Sequence, residues 1–394
     1  MSSDSVVIIG SGLAGYNVAR ELRKLDANVP IVVVSRDHAG FYSKPMLSNA
    51  LASKKTAATL VMKAADKIGA EINAQVLANL DVTSIDAAQR TVSLSNGEVL
   101  PYRDLVLALG ADPIRLPLQG NAADTVLSVN DLDDFARFAE ALDTAADGQA
   151  VKRVAILGAG LIGCEFANDL LARGIVPTVL DLADRALGRL LPEVASQRLQ
   201  SHLEAGGASF RFGVAVQSVD RSENGAGLKV TLSDGSVLET DLVLSAIGLK
   251  PRTTLAANAG LQVNRGVVVN RLLTSSNPHV HAVGDCAEVE GQSLPYVLPL
   301  MAQARALAAT LSGKPTPVAY PAMPVVVKTP ACPTVVCPPP MGAEGEWTVS
   351  STDDALEARF TCRTNPAQLL GFALQGKAVT QRQALAALVP AILA

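Results

Sequence analysis

Two glycine-rich turns in the sequence have the spacing that binds a nucleotide pyrophosphate. They read GSGLAG over residues 10–15 and GAGLIG over residues 158–163. In this Gly-x-Gly-x-x-Gly pattern the first glycine permits a tight turn, the second leaves room for the pyrophosphate, and the third lets helix and strand pack closely. The helix N-terminus then offers free N–H groups and a partial positive charge to the anion. The candidate contacts are Gly10, Ser11, Gly12, Leu13, Ala14, Gly15, Gly158, Gly160 and Gly163.

Both turns lie between an apolar run and a helical pattern, as the pyrophosphate motif requires. The predicted strand, helix and strand are 6–9, 16–25 and 31–34 in the first copy and 154–157, 164–172 and 178–180 in the second. The short, continuously apolar strands are typical of a parallel sheet buried on both faces. Two dinucleotide folds in one chain predict two dinucleotides, and hydride enzymes commonly pair a nicotinamide with a flavin.

The strand ends that follow the two turns carry candidate ribose ligands. In the second copy Asp181 stands where a carboxylate would bind the ribose 2′-hydroxyl, which favours NADH because it would repel the 2′-phosphate of NADPH. Arg185 and Arg189 follow it and could serve a 2′-phosphate, so NADPH stays open. In the first copy Ser35 occupies the usual place of the acid and Asp37 comes two positions later; the sequence does not choose between them.

Composition excludes several classes of protein. The 394 residues are 49% hydrophobic and 18% charged, which argues against a disordered chain, and no apolar run approaches the length of a membrane span. A net charge of −4 and 4% aromatic residues disfavour nucleic-acid binding. The N-terminus has no basic leader, and five cysteines without a pairing or metal-binding pattern predict a cytoplasmic protein with no metal site.

Longer motifs resemble one family. Residues 102–110 (YRDLVLALG), 241–251 (DLVLSAIGLKP) and 277–287 (NPHVHAVGDCA) are similar to motifs of flavoproteins with two dinucleotide-binding domains. Residues 41–48 (FYSKPMLS) and 323–330 (MPVVVKTP) resemble the rubredoxin reductase family, which is FAD-containing and NADH-dependent. Relatives that reduce ferredoxins usually have Tyr-x-Arg-Pro-Pro-Leu-Ser in the first of these two segments, and the sequence Lys-Pro-Met here leans toward the rubredoxin branch.

The resemblance implies an α/β architecture with two Rossmann-like domains and a cap. An NADH domain over 113–246 would be inserted into an FAD domain made of 1–112 and 247–320, with a C-terminal α/β cap over 321–394. Proline-rich sequence around residues 315–321 supports the last boundary.

The resemblance also implies roles for residues near the flavin. Asp285 would accept a hydrogen bond from the ribityl chain, the backbone of Val82 would meet the adenine, and the Val297 N–H would meet the isoalloxazine ring. Ala108 and Gly110 belong to the strand motif that borders the cofactor.

Three charged residues are the catalytic candidates. Lys44 would place its ammonium near the flavin ring, where reduction creates negative charge. The resemblance implies that Glu165 pairs with Lys44 near the junction of flavin and nicotinamide, and that Lys328 reaches the flavin edge from the cap. All three are also expected to contact cofactor.

Cysteine positions separate this chain from other flavoproteins of similar architecture. Disulfide reductases need a cysteine pair beside the flavin early in the chain, and coenzyme A disulfide reductases and NADH oxidases or peroxidases need one such cysteine. Residues 41–48 contain no cysteine, and none precedes Cys164.

The function expected from these features is hydride transfer from NADH to FAD, followed by single-electron transfer to rubredoxin in a transient encounter. Alkane hydroxylation is one downstream use. The alternatives are a reductase of flavorubredoxin or of an oxygenase ferredoxin, an NADH-sensing flavoprotein, and, opposed by the cysteines, an NADH oxidase. The protein is expected to be a monomer or a weak dimer.

Overall fold

A computed structural model of the chain describes residues 4–144, 150–223 and 227–394. Up to residue 113 the strands are β1 (Val6–Ile9), β2 (Ile31–Val34), β3 (Gln75–Leu77), β4 (Val82–Asp86), β5 (Thr91–Leu94), β6 (Val99–Pro101), β7 (Asp104–Leu107) and β8 (Ala111–Pro113). The helices of this part are α1 (Leu13–Leu25), α2 (Ala57–Leu60), α3 (Ala65–Glu71) and a 3-10 helix, Lys44–Asn49.

The middle of the chain repeats the alternation of strand and helix. Its strands are β9 (Arg153–Leu157), β10 (Val176–Asp181), β11 (Ser209–Phe212), β12 (Val216–Arg221), β13 (Leu228–Leu232), β14 (Val237–Thr240) and β15 (Leu242–Ser245). Its helices are α4 (Leu132–Asp143), α5 (Leu161–Leu171), α6 (Glu193–Ala205) and a 3-10 turn, Ala123–Thr125.

The remaining residues complete the first part and add a separate sheet. They form β16 (Leu249–Pro251), α7 (Thr254–Asn258), β17 (Val267–Val269), β18 (Val280–Ala282), the 3-10 turn Gly284–Cys286, β19 (Ala287–Val289) and α8 (Val297–Leu311). The C-terminal elements are β20 (Val325–Val327), β21 (Thr334–Cys337), β22 (Gly345–Ser351), β23 (Ala355–Cys362), β24 (Leu369–Gly376), the 3-10 helix Lys377–Gln381 and α9 (Arg382–Ala386).

The first parallel sheet has the strand order β18-β7-β1-β2-β3 and draws its strands from both ends of the first 290 residues. Strands β1 and β2 pair in register and every residue of both is buried. Burial on both faces explains why these strands are uninterrupted apolar runs. Because the strands are parallel, their carboxyl ends meet at one edge, where α/β sheets bind ligands.

The second parallel sheet has the order β11-β10-β9-β15. Its glycine turn joins β9 to α5 as the first joins β1 to α1. Both helices begin earlier than their patterns predict, at Leu13 and Leu161, because the second glycine of each turn is the N-cap. The strand predicted over 178–180 extends in both directions, to Val176–Asp181.

The chain passes between these two sheets twice, and the two connecting segments lie side by side. The chain leaves the first sheet through β8 and returns from the second through β16, and these short strands pair antiparallel with Ala111 opposite Pro251. The two covalent connections to the middle of the chain therefore lie next to each other.

The C-terminal residues form an antiparallel sheet of order β20-β21-β24-β23-β22. Apolar residues of this sheet share a core with helix α6, where Leu199 and Leu203 pack with Val336 and Ala358. The Arg198 guanidinium of the same helix donates to the backbone carbonyl of Thr352 at 2.7 Å. This sheet is thus held on the middle part of the chain.

Candidate functional site

The first glycine turn is shaped by steric contacts that only glycine allows. Gly10 has a φ of +115°, and a Cβ there would lie 2.2 Å from the Ala108 carbonyl oxygen. A Cβ on Gly15 would lie 1.9 Å from the carbonyl oxygen of Gly10, whereas a Cβ on Gly12 would meet nothing within 4 Å. The middle glycine therefore faces open space at the N-terminus of α1, as a cradle for a pyrophosphate requires.

The second turn repeats this geometry. A Cβ on Gly158 would lie 2.7 Å from the Ala246 carbonyl oxygen, and one on Gly163 would lie 1.9 Å from the Gly158 carbonyl oxygen. A Cβ on Gly160 again would meet nothing within 4 Å. Both turns fit a dinucleotide for the same reason, because the middle glycine of each leaves open space for a pyrophosphate at a helix N-terminus.

The structure brings Ser35 and Asp37 together instead of choosing one. The Ser35 hydroxyl donates to Asp37 Oδ1 at 2.7 Å, and its oxygen lies 2.7 Å from the Ser11 hydroxyl oxygen. Asp37 Oδ1 also accepts the Ala39 N–H at 2.9 Å. This buried network joins the first glycine turn to the end of β2, where a ribose would lie.

Asp181 ends β10 and touches the second glycine turn. Its carboxylate accepts the backbone N–H groups of Ala159 and Ala183. The guanidinium of Arg185, the candidate 2′-phosphate ligand, pairs with the exposed carboxylate of Asp184 at 2.9 Å. Asp181 therefore lies at the end of β10 beside the second glycine turn, and its role as a ribose ligand stays a prediction.

Lys44 lies at the carboxyl edge of the first sheet, at the start of the 3-10 helix Lys44–Asn49. Its ammonium donates to Asn130 Oδ1 at 2.7 Å and lies 3.8 Å from Asp285 Oδ2. Asn130 is held in turn, because its amide donates to the Ala111 carbonyl at 2.9 Å. Burial lowers the pKa of Lys44, and the nearby Asp285 carboxylate opposes that effect.

The expected pairing of Glu165 with Lys44 is wrong. Glu165, on α5 and only 2% exposed, forms an ion pair with the ammonium of Lys328 and accepts the Lys328 backbone N–H at 3.0 Å. It also accepts the Ser48 hydroxyl at 2.5 Å, and Lys328 donates to Ser48 Oγ at 3.0 Å. Lys44 and Ser48 lie near opposite ends of the 3-10 helix Lys44–Asn49. Lys44 is turned toward Asn130, and Glu165, which binds Ser48, pairs with Lys328 instead.

Asp285 lies in the 3-10 turn Gly284–Cys286 that comes after β18, and this turn lies against the first glycine turn. Its neighbour Gly284 has a φ of +74°, and a Cβ there would lie 2.8 Å from Ala14 Cβ. The Gly284 N–H donates to Gln303 Oε1 at 2.6 Å, which fixes this turn against α8. Asp285 is therefore positioned between the pyrophosphate cradle and Lys44.

The other candidates lie at or beside the ends of strands and helices. Ala108 is buried directly after β7, and Gly110 has a φ of +70°. Val82 is partly buried as the first residue of β4, and Val297 is the first residue of α8 with 40% of its surface exposed.

Ser48, Asn130 and Asp169 are polar residues of this region that sequence reasoning missed. Ser48 and Asn130 carried no signal, because their partners are far away in the chain. Asp169 had one, since it follows Glu165 by four residues and so faces the same side of α5. Its carboxylate accepts the N–H groups of Leu51 and Ala52 at 2.9 and 2.8 Å.

The buried cysteines are held as thiols. Burial raises the pKa of Cys164 to about 12 and those of Cys286 and Cys337 to about 11. Cys286, which follows Asp285, donates its S–H to the backbone carbonyls of Leu107 and Val283. A thiol that is protonated at neutral pH is a poor nucleophile, so these residues act as small apolar groups.

Two family profiles match the chain. The pyridine nucleotide-disulphide oxidoreductase profile matches residues 4–308. A profile described as the rubredoxin binding C-terminal domain matches residues 317–389, which include all five strands of the C-terminal sheet.

Curated relatives match over nearly their whole lengths. A rubredoxin-NAD(+) reductase of Alcanivorax borkumensis is 47% identical, with 98% of this chain and 99% of the relative covered. One of Acinetobacter baylyi is 45% identical, with 98% of each chain covered. Among solved structures, a ferredoxin reductase of Rhodopseudomonas palustris superposes with a TM-score of 0.87 at 27% identity, covering 98% of this chain and 95% of that one.

Within residues 4–144, 150–223 and 227–394, no helix is both long enough and apolar enough to cross a membrane.

Proposed function

Because this chain belongs to the rubredoxin-NAD(+) reductase group of the pyridine nucleotide-disulphide oxidoreductases, we propose that it passes electrons from NADH through FAD to rubredoxin. One observation carries the proposal. Lys328, within the segment that matches a rubredoxin binding domain, pairs with Glu165 on the helix that begins at the second glycine turn. The nucleotide turn and the segment matching the partner-binding profile therefore meet at one ion pair.

The two glycine turns would hold different nucleotides. FAD would lie on the first turn, with its ribose near Ser35 and Asp37 and its ribityl chain near Asp285. Val82, Ala108, Gly110 and Val297 would border its adenine and ring. NADH would lie on the second turn with its ribose on Asp181. Bound FAD accepts a hydride from NADH and gives up electrons one at a time.

The charged side chains would act by position and electrostatics. Lys44, beside Asp285, would bring a cation to the part of the ring that becomes negative on reduction. Lys328 would bring a second cation, held by Glu165 and Ser48. Neither lysine needs to transfer a proton for this role. The hydrogen bonds around the two ammonium groups serve to hold them in place.

The domain boundaries, the location, the oligomeric state and the downstream use of rubredoxin are predictions. The boundaries 1–112 with 247–320, 113–246 and 321–394 follow the sheets but rest on the family resemblance. We also predict a cytoplasmic monomer or weak dimer with a small, transient surface for rubredoxin, as redox partners use. The use of rubredoxin in alkane hydroxylation likewise stays a prediction.

Reduction of purified iron proteins tests the proposal. The protein, NADH and either rubredoxin or a [2Fe–2S] ferredoxin are mixed, and loss of each acceptor's visible colour is followed. Rubredoxin is expected to be reduced at least about tenfold more efficiently, a difference of about 1.4 kcal/mol in activation free energy. Faster reduction of ferredoxin would contradict the proposal. Flavin reduction by NADH with no transfer to either acceptor would favour the NADH-sensing alternative.

Replacing Asp181 tests the coenzyme assignment. Asp181→Asn keeps the side-chain shape but removes the charge that would repel a 2′-phosphate. The ratio of kcat/KM for NADH to that for NADPH is expected to fall about tenfold. Asp234→Asn, at an exposed turn carboxylate that binds only Ser236 in the described structure, is the matched control and should leave the ratio unchanged. An unchanged ratio in Asp181→Asn would show that Asp181 does not select the coenzyme.

A further inference from the structure

Asp169 is a buried carboxylate that forms no ion pair with the described residues. Its residue is 1% exposed, and none of the ion pairs between described residues includes it. It instead accepts two backbone N–H groups from a distant part of the chain, those of Leu51 at 2.9 Å and Ala52 at 2.8 Å. A carboxylate that accepts two backbone donors fixes the chain that carries them.

The segment that Asp169 holds carries two residues of the candidate site. Leu51 and Ala52 follow the C-cap residue, Ala50, of the 3-10 helix Lys44–Asn49, which has Lys44 at its first position and Ser48 near its end. Ser48 is bound by Glu165, one helical turn before Asp169 on α5. Helix α5 therefore binds this segment through two residues one helical turn apart, Glu165 and Asp169. Lys44, at the start of the segment, donates to Asn130 instead.

A contribution to folding stability does not by itself explain why a carboxylate occupies position 169. Burial raises the pKa of Asp169 from 3.8 to about 6, although its two backbone hydrogen bonds oppose that shift. A raised acid pKa means that the folded protein binds the proton more tightly than the unfolded chain. The contribution of this group to stability is therefore fullest below about pH 4 and is lost as the pH rises through 6.

We propose that Asp169 is a positioning residue, which holds residues 51–52 so that Lys44 and Ser48 take their places beside the flavin. The inference rests on the proposed function only for the presence of the flavin. It adds a role for a side chain of the NADH-binding part in shaping the FAD-binding part. The effect travels through backbone hydrogen bonds, since Asp169 itself contacts neither lysine at ion-pair distance in the described residues.

Asp169→Asn in the FAD-loaded protein is the first test. An amide can accept one of the two N–H groups through its oxygen but turns an N–H₂ group toward the other. Hydrogen exchange in peptides covering residues 50–55 is expected to quicken about tenfold, as the loss of one hydrogen bond would give. The rate of flavin reduction at saturating NADH should fall about tenfold while KM for NADH changes less than twofold.

Asp234→Asn is the matched control, because this exposed carboxylate belongs to the same part of the chain and accepts hydrogen bonds only from Ser236 in the described structure. It should change neither exchange over residues 50–55 nor flavin reduction. Normal exchange in Asp169→Asn would overturn the positioning role even if rubredoxin is reduced. Faster exchange in a protein that never reduces rubredoxin would instead overturn the proposed function alone.

A measurement on the unaltered protein covers the case in which Asp169→Asn does not fold. Burial raises the pKa of Asp169 to about 6, so protonation favours the state in which it is buried against residues 51–52, and protection factors over residues 50–55 should rise relative to those of α5 as the pH falls from 7.5 to 5. Arg173 and Lys328 are the cations whose charges act on Asp169, and Glu165 lies one turn before it on α5. Protection that is constant or that falls from pH 7.5 to 5 would overturn the positioning role.

Discussion

A Gly160→Val protein is expected to fold, to stay yellow, and to be reduced by NADH about 100-fold less efficiently. A Cβ at Gly160 meets nothing within 4 Å, and the φ of −77° and ψ of −171° suit any residue. The only space that valine takes is therefore the space that the pyrophosphate needs. Losing two hydrogen bonds from backbone N–H groups to a phosphate, at about 1.5 kcal/mol each, accounts for that factor.

Gly12→Val is the same substitution in the other turn and serves as the counterpart. Its backbone is equally permissive, with φ −70° and ψ −176°, and its Cβ again meets nothing within 4 Å. This protein is expected to be purified without flavin. Flavin content per chain and rapid-mixing rates of flavin reduction distinguish the two variants. If Gly160→Val loses flavin and Gly12→Val keeps it, the assignment of the two nucleotides is reversed.

Glu165, Ser48 and Lys328 contact one another, and Lys328→Met is expected to lower the stability of the protein more than any other single substitution among them. It leaves the carboxylate of Glu165, 2% exposed, with the Ser48 hydroxyl and one backbone N–H but no cation. Breaking a buried ion pair by removing one partner costs about 3–5 kcal/mol. Because Lys328 remains partly exposed, we expect the lower end, about 3 kcal/mol less free energy of unfolding in denaturant titrations.

A second substitution shows whether the unpaired charge is the cause. Glu165→Gln in the Lys328→Met background removes the uncompensated carboxylate, and the double variant should recover at least half of the lost stability. Lys377→Met, at an exposed pair with Asp354, is the control and should not change stability measurably. If the single and double variants are equally unstable, packing of the Lys328 side chain matters more than its charge.

The nucleotide turns were predictable because their causes are local. The first and third glycines are required by carbonyl oxygens that the strand–turn–helix geometry places within about 2–3 Å of any Cβ, so the spacing in the sequence records the contact directly. The flanking strands followed from continuous apolar runs, which only a doubly covered parallel sheet buries completely.

The pairing of charges was not predictable in the same way. Lys328 lies 163 residues after Glu165, and Ser48 lies 117 residues before it. A lysine, a serine and a glutamate at such distances have many possible partners, and only the packing of three parts of the chain selects among them. The same holds for Lys44, whose partner Asn130 lies on the connection into the middle part of the chain.

The paired strands β8 and β16 have a consequence for engineering. Residues 114 and 248 follow and precede strands that run side by side, with Pro113 opposite Leu249. Everything between them is thus a module with both ends at one splice site, an arrangement that tolerates exchange of whole domains. A nucleotide module from a relative with another coenzyme preference could be grafted there as one piece. The graft would also have to bring its own counterparts of Glu165 and Asp169, since both reach out of the module to residues it leaves behind.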